Sequence, residues 1–336
     1  MRRVRRGHGT RLLVIGLCCA LTLALVACDS KPAEPADVRT VTLGVSREAL
    51  NSLAYIARDE GLFEQVGLEV ELVEFDSAQL ALQAMLADEV DAALCADTPI
   101  VTSAINGEPF RIIATVATDS NDLKIVARKS AGISAPEDLR GKRVGTRQGT
   151  AAHFFLHVYL TRYGMADEDL AVRFDSFENV TAAMIAGELD AVALRQPFVA
   201  ELEGALGNDF VLLEEEGLYG KTMNLCVPTD GIDSETQQRF IRAFILAEET
   251  GVSDTSGRIV GQVAEDIGVE ADDICSCIIT SGAVTLQQSL VLNLEDQVRW
   301  AMESELATAT IAPDMLSYIY PAPLDAVDPD RVTLIR

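Results

Sequence analysis

Hydrophobic positions along the chain alternate between two patterns. Short apolar stretches of strand length are followed by segments in which apolar residues return every three or four positions, the helical period. The pattern predicts strands at 38–46, 68–74 and 92–95, and again at 143–146, 171–174 and 191–194. Helices are predicted at 51–60, 78–87, 151–163 and 180–186. Strands alternating with helices in this way indicate parallel sheets covered by helices, an α/β fold.

The strand and helix pattern occurs twice because the sequence repeats itself. FDS at 75–77 returns as FDS at 174–176, and AMLADEVDA at 84–92 aligns at the same offset with AMIAGELDA at 183–191. Two copies of one α/β unit predict two lobes. Since ligands of open α/β sheets bind at the carboxyl ends of the strands, the predicted site is a cleft between the lobes.

Further strands at 123–128 and 223–228 flank the second copy and are expected to cross between the lobes as a hinge. We therefore assign 38–127 and 225–336 to the first lobe and 128–224 to the second. After the hinge, the capping-box pattern Ser234-Glu235-Thr236-Gln237 predicts a helix to about 250. Additional helices are predicted at 257–267, 271–279 and 286–306, before a proline-rich tail from 313.

The first residues predict export. Five arginines without an acid precede an apolar stretch at 12–26, which is typical of a secretory signal. The stretch is shorter than the roughly 20 residues that span a bilayer as a helix. It ends at Leu25-Val26-Ala27-Cys28, which resembles the bacterial lipobox. That resemblance implies removal of 1–27, lipidation of Cys28 with palmitate-type chains, a tether at 28–37, and an extracytoplasmic protein held at the periplasmic face or cell surface by its lipid.

Composition limits the possible partners. The formal charge is 27 minus 52, or −25, and loss of the five signal arginines gives 22 minus 52, or −30. A negative field of this size disfavours nucleic acid as a partner. Cys95, Cys226, Cys275 and Cys277 remain after processing without a metal-type C-x-x-C pair, so we interpret them as small buried apolar residues.

Four segments carry a resemblance to a known family: ARDEGLFEQVGLEVELVEF at 57–75, DSAQLALQAMLADEVDAAL at 76–94, GISAPEDLRGKRVGTRQGTAAHFFL at 132–156 and GELDAVALRQPF at 187–198. They resemble the binding proteins for nitrate, aliphatic sulfonates, taurine and thiamine pyrimidine precursors. The resemblance implies a type II periplasmic binding protein fold, with two doubly wound α/β lobes joined by a two-strand hinge. It also implies a small-molecule ligand between the lobes, and an ABC permease with its ATPase as partners. No cofactor is expected, and the chain is expected to be a monomer.

An anion site is predicted where a strand runs into the helix that begins near Ala151. Gln148, Gly149 and Thr150 lie at this junction, where free backbone N–H groups and the positive end of the helix point into the cleft. Glycine allows the backbone to approach a ligand closely. Thr150 has the alternative role of an N-cap.

The ends of the two third strands differ in charge between the copies. Asp97 and Thr98 follow the first, and Arg195 and Gln196 follow the second. The opposite charges of Asp97 and Arg195 indicate either a ligand that bears both charges or a salt bridge that closes the empty lobes. Arg195 is the leading specificity residue, because its planar fork suits carboxylate, sulfonate or phosphonate. Many members of the family carry an acid at the position of Gln196, so its absence argues against a ligand amino group bound there.

The remaining site candidates follow the other strands. Ser46, Arg47, Glu48 and Asn51 come after the first strand and are expected to line the cleft. Asp76 and Ser77 come after the second strand, where either one caps the next helix and both face the cleft.

His153 and His157 would share a helix face, half of a metal site. No third ligand is evident, so no metal is expected.

These observations favour a solute-binding component of an importer that captures a small anionic solute such as a sulfonate, a carboxylate or nitrate. A thiamine pyrimidine precursor is the alternative ligand. An enzyme related to the pyrimidine synthase of thiamine biosynthesis and a sensor lobe that feeds a membrane kinase are further alternatives. Export and the lack of a Walker loop or a G-x-S-x-G motif disfavour an enzyme.

Overall fold

The computed structural model describes residues 37–213, 217–268, 271, 284–304, 306 and 311–335. The signal region, Cys28, the tether before residue 37, the greater part of the helix predicted at 271–279, and Cys275 and Cys277 lie outside these residues. The chain from Pro35 to Arg336 clusters as one compact unit. The strands of the described residues form two five-stranded sheets and one two-stranded sheet.

The first five-stranded sheet has the order β2-β1-β3-β10-β4. Strands β1 to β3 are parallel, and β10 is antiparallel to both of its neighbours. Every residue of β3 is buried, as expected for a strand covered by helices on both faces. The strands are β1 (Arg39–Ser46), β2 (Leu68–Phe75), β3 (Ala92–Ala96), β4 (Phe110–Asp119) and β10 (Lys221–Pro228).

The second sheet repeats this arrangement with the order β7-β6-β8-β5-β9. Strands β6 to β8 are parallel, and β5 takes the place that β10 has in the first sheet, antiparallel to β8 and β9. The two matching topologies confirm the α/β fold with two lobes. The strands are β5 (Leu123–Arg128), β6 (Arg143–Thr146), β7 (Ala171–Phe174), β8 (Ala191–Arg195) and β9 (Phe210–Leu213).

Helices cover both sheets. The helix after each second strand begins behind a serine N-cap, because the Oγ atoms of Ser77 and Ser176 accept hydrogen bonds from Leu80 N and Asn179 N. The α-helices of the described residues are α1 (Ser52–Asp59), α2 (Leu62–Gln65), α3 (Ala78–Leu86), α4 (Asp97–Ile105), α5 (Ala151–Arg162), α6 (Phe177–Ile185), α7 (Phe198–Leu206), α8 (Ser234–Ser253), α9 (Arg258–Ile267), α10 (Gln288–Glu303) and α11 (Ala322–Val327). The short strands β11 (Leu286–Gln287) and β12 (Val332–Thr333) pair with each other.

The lobe boundaries differ from those that the sequence predicts. The sequence predicts that strand β5 belongs to the first lobe and crosses from it, but among the described strands it pairs with β8 and β9 of the second sheet. The sequence also predicts that the first residues of β10 belong to the second lobe, but they pair with β3 and β4 of the first sheet. The chain therefore passes between the sheets in the segments before β5 and before β10, and the strands complete the sheets instead of crossing. We call 37–119 and 221–335 the first lobe and 123–213 the second lobe.

Candidate functional site

A small cavity lies between the two lobes, at the carboxyl ends of their parallel strands. Its volume is about 30 Å³, which admits little more than water. We call it the central cavity. Its walls are Glu48, Ser77, Ala78, Gln79, Ala96, Pro99 and Lys221 of the first lobe and Leu123, Thr150, Ala151, Ala152, Phe177 and Arg195 of the second.

Two larger spaces continue from the central cavity toward solvent. One, of about 440 Å³, shares Arg195 with it and is lined by further charged residues, among them Arg47, Asp76 and Glu178. The other, of about 320 Å³, shares Gln79 and Pro99 with it and has uncharged polar walls. The three spaces are neighbours, since each larger one shares lining residues with the central cavity, and we call them together the cleft. The walls of the 320 Å³ space include Gln83, Thr102, Ser103, Asn106, Gln148 and Gly149.

Arg195 narrows the cleft by reaching across it. It is the last residue of β8, and its buried Nη1 donates hydrogen bonds to the carbonyl oxygen of Arg47 at 3.0 Å and to that of Gln196 at 2.8 Å. Its guanidinium carbon lies 5.7 Å from the centre of the Phe177 ring. Among the described residues Nη2 has no hydrogen-bond acceptor. Arg195 therefore joins the lobes, and one of its donor groups has no acceptor among the described residues.

The charge of Arg195 belongs to a buried charge cluster, which we define as Glu48, Asp122, Arg195 and Lys221. Lys221 Nζ contacts Glu48 Oε2 and lies 2.8 Å from Asp122 Oδ2, while Arg195 Nε lies 3.9 Å from Glu48 Oε2. Burial raises the pKa of Glu48, but Lys221 and Arg195 outweigh it and lower the pKa to about 2. Burial likewise lowers the pKa of Lys221, but Asp122 and Glu48 outweigh it, so this pKa is raised. Glu48 and Lys221 are therefore charged at neutral pH.

Two helix N-termini face the central cavity. The N-terminal residues Ala151 and Ala152 of α5 line it, as does Ala78 at the start of α3. Thr150 does not cap α5 with its side chain, because its Oγ1 donates to the carbonyl of Arg147 at 2.8 Å. Both helix ends favour negative charge in the cavity.

Asp97 and Arg195 do not pair, so the predicted salt bridge between them is wrong, while a ligand that bears both charges stays a prediction. Asp97 is fully buried, and its carboxylate accepts hydrogen bonds from Tyr219 Oη, from Thr222 N at 3.1 Å and from Asn293 Nδ2 at 2.9 Å. The counter-ion near Arg195 is Glu48 instead, from the opposite lobe. Since the donors around Asp97 come from its own lobe and the segment before β10, its role is to join these elements.

Other predicted residues support the fold around the cleft. Ser46 Oγ donates to Glu48, and Asn51 Nδ2 donates to the carbonyl of Ser46 at 2.7 Å. Thr98 Oγ1 donates to Gln297 Oε1 at 2.5 Å. Gln196 Oε1 accepts from Ala200 N at 3.1 Å, in the first turn of α7.

The remaining predicted residues line different parts of the cleft. Ser77 and Thr150 line the central cavity, while Arg47 and Asp76 line one end and Gln148 and Gly149 the other. Gly149 has a φ of 71°, in the left-handed region that favours glycine. Asp76 does not cap α3, because Ser77 does.

Sequence reasoning missed Lys221 and Asp122. Both lie beside the segments where the chain passes between the lobes, and Lys221 is the first residue of an otherwise uncharged, mostly buried strand. A lysine at the start of such a strand predicts a buried ion pair, because an ammonium group is rarely buried without a partner. It does not reveal that partner, which lies far away in sequence.

His153 and His157 occupy an aromatic contact between the lobes. The ring of His153 lies 4.9 Å from that of Trp300 and 4.7 Å from that of Phe174. Burial lowers the pKa of His153 to about 4. Within the described ranges no group of three or more His, Cys, Asp or Glu side chains is arranged to hold a metal ion. In the same part of the chain, no helix has the length and apolar character needed to cross a bilayer.

Comparison with known proteins gives three kinds of match. The family described as NMT1/THI5 like matches residues 52–256. A putative binding protein of Brucella abortus (strain 2308) is 25% identical over 152 residues, which are 45% of this chain and 46% of that protein. The taurine-binding periplasmic protein of Escherichia coli (strain K12) is 24% identical over 166 residues, 49% of this chain and 51% of that protein. The chain thus spans about half the length of the curated relatives it matches.

Solved structures extend the likeness to the whole fold. The alkanesulfonate-binding protein from Xanthomonas axonopodis pv. citri bound to MOPS has a TM-score of 0.71 and 18% identity, and the match covers 85% of this chain and 100% of that one. A Candida albicans protein described as having the generic periplasmic binding protein structural fold gives 0.66 at 14% identity, covering 84% of this chain and 96% of that one. Because the family match covers more than half of the chain, the protein belongs to the NMT1/THI5-like family, and it has the periplasmic binding protein fold.

Proposed function

We propose that this protein is the extracytoplasmic solute-binding component of an ABC importer, held at the membrane by a lipid on Cys28. Its ligand is a small organic solute with an anionic group, bound between the lobes. Relatives named as taurine-binding and aliphatic sulfonates-binding proteins support this proposal. An ABC permease and its ATPase are the partners that receive the solute.

One observation supports an anionic ligand more than any other. Two cationic side chains and two helix N-termini face the same cavity. Arg195 and Lys221 line it together with a single carboxylate, that of Glu48, so its lining side chains carry a net positive charge. The N-termini of α3 and α5 add partial positive charge. We therefore assign the solute's carboxylate or sulfonate to Arg195 and the N-terminus of α5, with Thr150 and Ser77 beside it.

The solute enters by separation of the lobes. Ligand pockets usually enclose about 300–1,000 Å³, whereas the central cavity holds about 30 Å³. The Arg195 contact with the carbonyl of Arg47 has to open before a solute can fit. Closure around the bound solute is then a rigid-body movement of one lobe against the other.

Trp300 is a suitable reporter for this movement. It is the single tryptophan of the chain, and it lies on α10 of the first lobe against His153 and Phe154 of the second. We expect one class of organic anion to change its fluorescence in a saturable way and to raise the melting temperature. Mass action gives about 2.7 kcal/mol at a concentration of 100 Kd.

The experiment uses the chain from residue 29, which keeps the compact unit. It is titrated with alkanesulfonates, carboxylates, nitrate and an uncharged pyrimidine. Arg195→Gln should abolish the response, and Arg173→Gln on the outer surface should leave it intact. If no anion acts on the native chain, the anionic ligand is wrong.

A thiamine pyrimidine precursor is the second candidate ligand, because aromatic rings flank Arg195. The rings of Phe177 and Phe198 are 5.5 Å apart at one wall of the cleft and offer a surface on which a flat ring can stack. A response to the pyrimidine alone would select this candidate. Chemical change of a bound molecule, detected by mass spectrometry, would instead indicate an enzyme.

A further inference from the structure

We infer that Glu48 is a built-in counter-ion beside the anion position at Arg195, and that it excludes bare inorganic oxyanions from the cleft. This inference rests on the proposed function, since it concerns the selectivity of the same site. It assigns to Glu48 a role in specificity that its neighbour Asp122 does not have.

The Glu48 carboxylate lies next to the guanidinium of Arg195, to which the solute's anionic group is assigned. One oxygen contacts Lys221 Nζ and lies 3.9 Å from Arg195 Nε, and the other accepts a hydrogen bond from Ser46 Oγ. The Glu48 side chain is only 3% exposed. Ser46 and Asn51 fix it from behind, because Asn51 Nδ2 also bonds the carbonyl of Ser46. The carboxylate is therefore held in place by groups of the protein itself.

Lys221 contacts both carboxylates of the cluster, and Arg195 lies 3.9 Å from one of them, Glu48. Asp122 lies 2.8 Å from Lys221 but is not part of the cavity wall, so it neutralises the lysine from outside the cavity. Glu48 is in the wall and is the carboxylate near Arg195, which comes from the opposite lobe. The four side chains of the cluster are together neutral, although the three in the cavity wall keep one net positive charge, and Arg195 already has a counter-ion within 4 Å.

A bare oxyanion that binds to Arg195 comes within a few ångströms of the Glu48 carboxylate, which has the same sign of charge. Like charges at such distances in a partly dry site oppose binding by more than a factor of ten. An organic anion avoids the penalty when it presents a hydrogen-bond donor to Glu48 beside its anionic group. The site therefore selects donor-bearing organic anions over sulfate and nitrate.

Inorganic sulfate is the probe that tests this inference without the natural ligand. The chain from residue 29 is titrated with sodium sulfate by calorimetry at constant ionic strength. We expect Glu48→Gln to bind sulfate at least roughly tenfold more tightly than the native chain, because the like charge is gone. The double variant Glu48→Gln with Arg195→Gln should lose this gain, which would locate the sulfate at Arg195.

Asp122→Asn is the matched control. It removes one carboxylate from the same lysine but leaves the cavity wall unchanged, so its gain in sulfate affinity should be several-fold smaller than that of Glu48→Gln. An equal gain in both single variants would overturn the inference, because it would reflect net charge alone. Tight sulfate binding by the native chain, or no gain in Glu48→Gln, would also overturn it.

A second variant and a sulfate-soaked crystal test the role of Glu48 if the Glu48→Gln variant does not fold. If Glu48→Gln does not fold, Glu48→Ser shortens the side chain and leaves room for the anion, and the same tenfold gain is expected. The native chain also gives an answer by itself, since a crystal soaked in sulfate must show none beside Arg195. Failure of the solute screen with the sulfate result intact would reject the proposed anionic ligand but not the contact of Glu48 with the site at Arg195.

Discussion

At the scale of single residues, Asp97 shows how a buried charge holds the elements beside the cleft. An isolated carboxylate in the interior is unfavourable unless hydrogen bonds replace its hydration. Burial raises the pKa of Asp97, and the hydrogen bond from Tyr219 is the largest opposing contribution. A raised pKa means that this carboxyl contributes more stability below its unfolded pKa of 3.8 than at neutral pH. The hydrogen bond from Tyr219 therefore stabilises the folded protein most when Asp97 is ionised.

Replacement of Tyr219 by phenylalanine is expected to destabilise the protein by about 2–3 kcal/mol at pH 7, because it removes a hydrogen bond to a buried charge. The ring and its contact with Phe154 are kept. The measurement is urea unfolding, and the loss should be smaller at pH 4, where protonation of Asp97 is more favourable.

The control for Tyr219 is Tyr318→Phe. The hydroxyl of Tyr318 donates to the neutral carbonyl of Ala104 at 3.1 Å, so its removal should cost only about 1 kcal/mol. Equal losses in the two variants would show that the charge of Asp97 does not set the cost.

At the scale of elements, α5 of the second lobe packs on α10 of the first through aromatic rings. Phe154 and His153 both lie against Trp300, at ring distances of 5.1 and 4.9 Å. His153 Nδ1 also accepts a hydrogen bond from Gly149 N at 3.4 Å, which links this contact to the loop at the end of the cleft. The neutral imidazole is required for that bond, and burial favours it.

His153 should make the stability of the protein depend on pH. Its pKa falls from 6.5 to about 4 in the folded state, so the unfolded chain takes up the proton first as the pH decreases. The contribution is fully present above pH 6.5 and is lost between pH 6.5 and 4, amounting to about 3 kcal/mol. His153→Gln should lose this slope in a series of urea unfolding curves across that range.

His157→Gln serves as the reference for this slope. His157 lies one turn further along α5 and is partly exposed, so the variant should keep the slope of the native chain. A native-like slope in His153→Gln would mean that another group causes the pH dependence.

The sequence predicts elements better than it predicts the site. The repeat fixes β1 to β3 and β6 to β8 to within a residue or two, because each apolar stretch ends at turn or capping residues. Strand β4 was missed, since it lies outside the repeat and its apolar residues have no alternating period. The charge cluster was also out of reach, because Glu48, Asp122 and Lys221 meet only after the chain has passed between the lobes twice, and no spacing encodes that contact.

At the scale of the whole molecule, the second lobe is continuous in sequence and the first is not. All five strands of the second sheet lie within 123–213, whereas the first sheet needs β10 from beyond the second lobe. Strand β5 lies between β8 and β9, so it is an interior strand of its sheet. Its Ile125 and Val126 are fully buried. A second lobe without β5 would lose the hydrogen bonds that this strand makes to β8 on one side and to β9 on the other.

Two fragments test where the second lobe begins and ends. Residues 120–213 contain every strand of the second sheet and should unfold cooperatively in urea, as followed by circular dichroism. Residues 128–224, the boundaries that the sequence predicts, lack β5 and include residues of β10 that pair in the other sheet. This fragment should show no cooperative transition, because β8 and β9 cannot pair with each other across the missing strand.

Comparing the two fragments also locates the hinge. Fragment 120–213 includes the segment before β5 and stops before β10, whereas fragment 128–224 begins at the end of β5 and continues into β10. Fragment 120–213 should be less stable than the intact chain, because it lacks the contacts of Arg195 with Arg47 and of Phe154 with Trp300. If 128–224 folded instead, the movement of the lobes would have to occur within β5 and β10. The segments around Asp122 and Tyr219 would then be rigid, and the buried charge cluster would not lie at the pivot of closure.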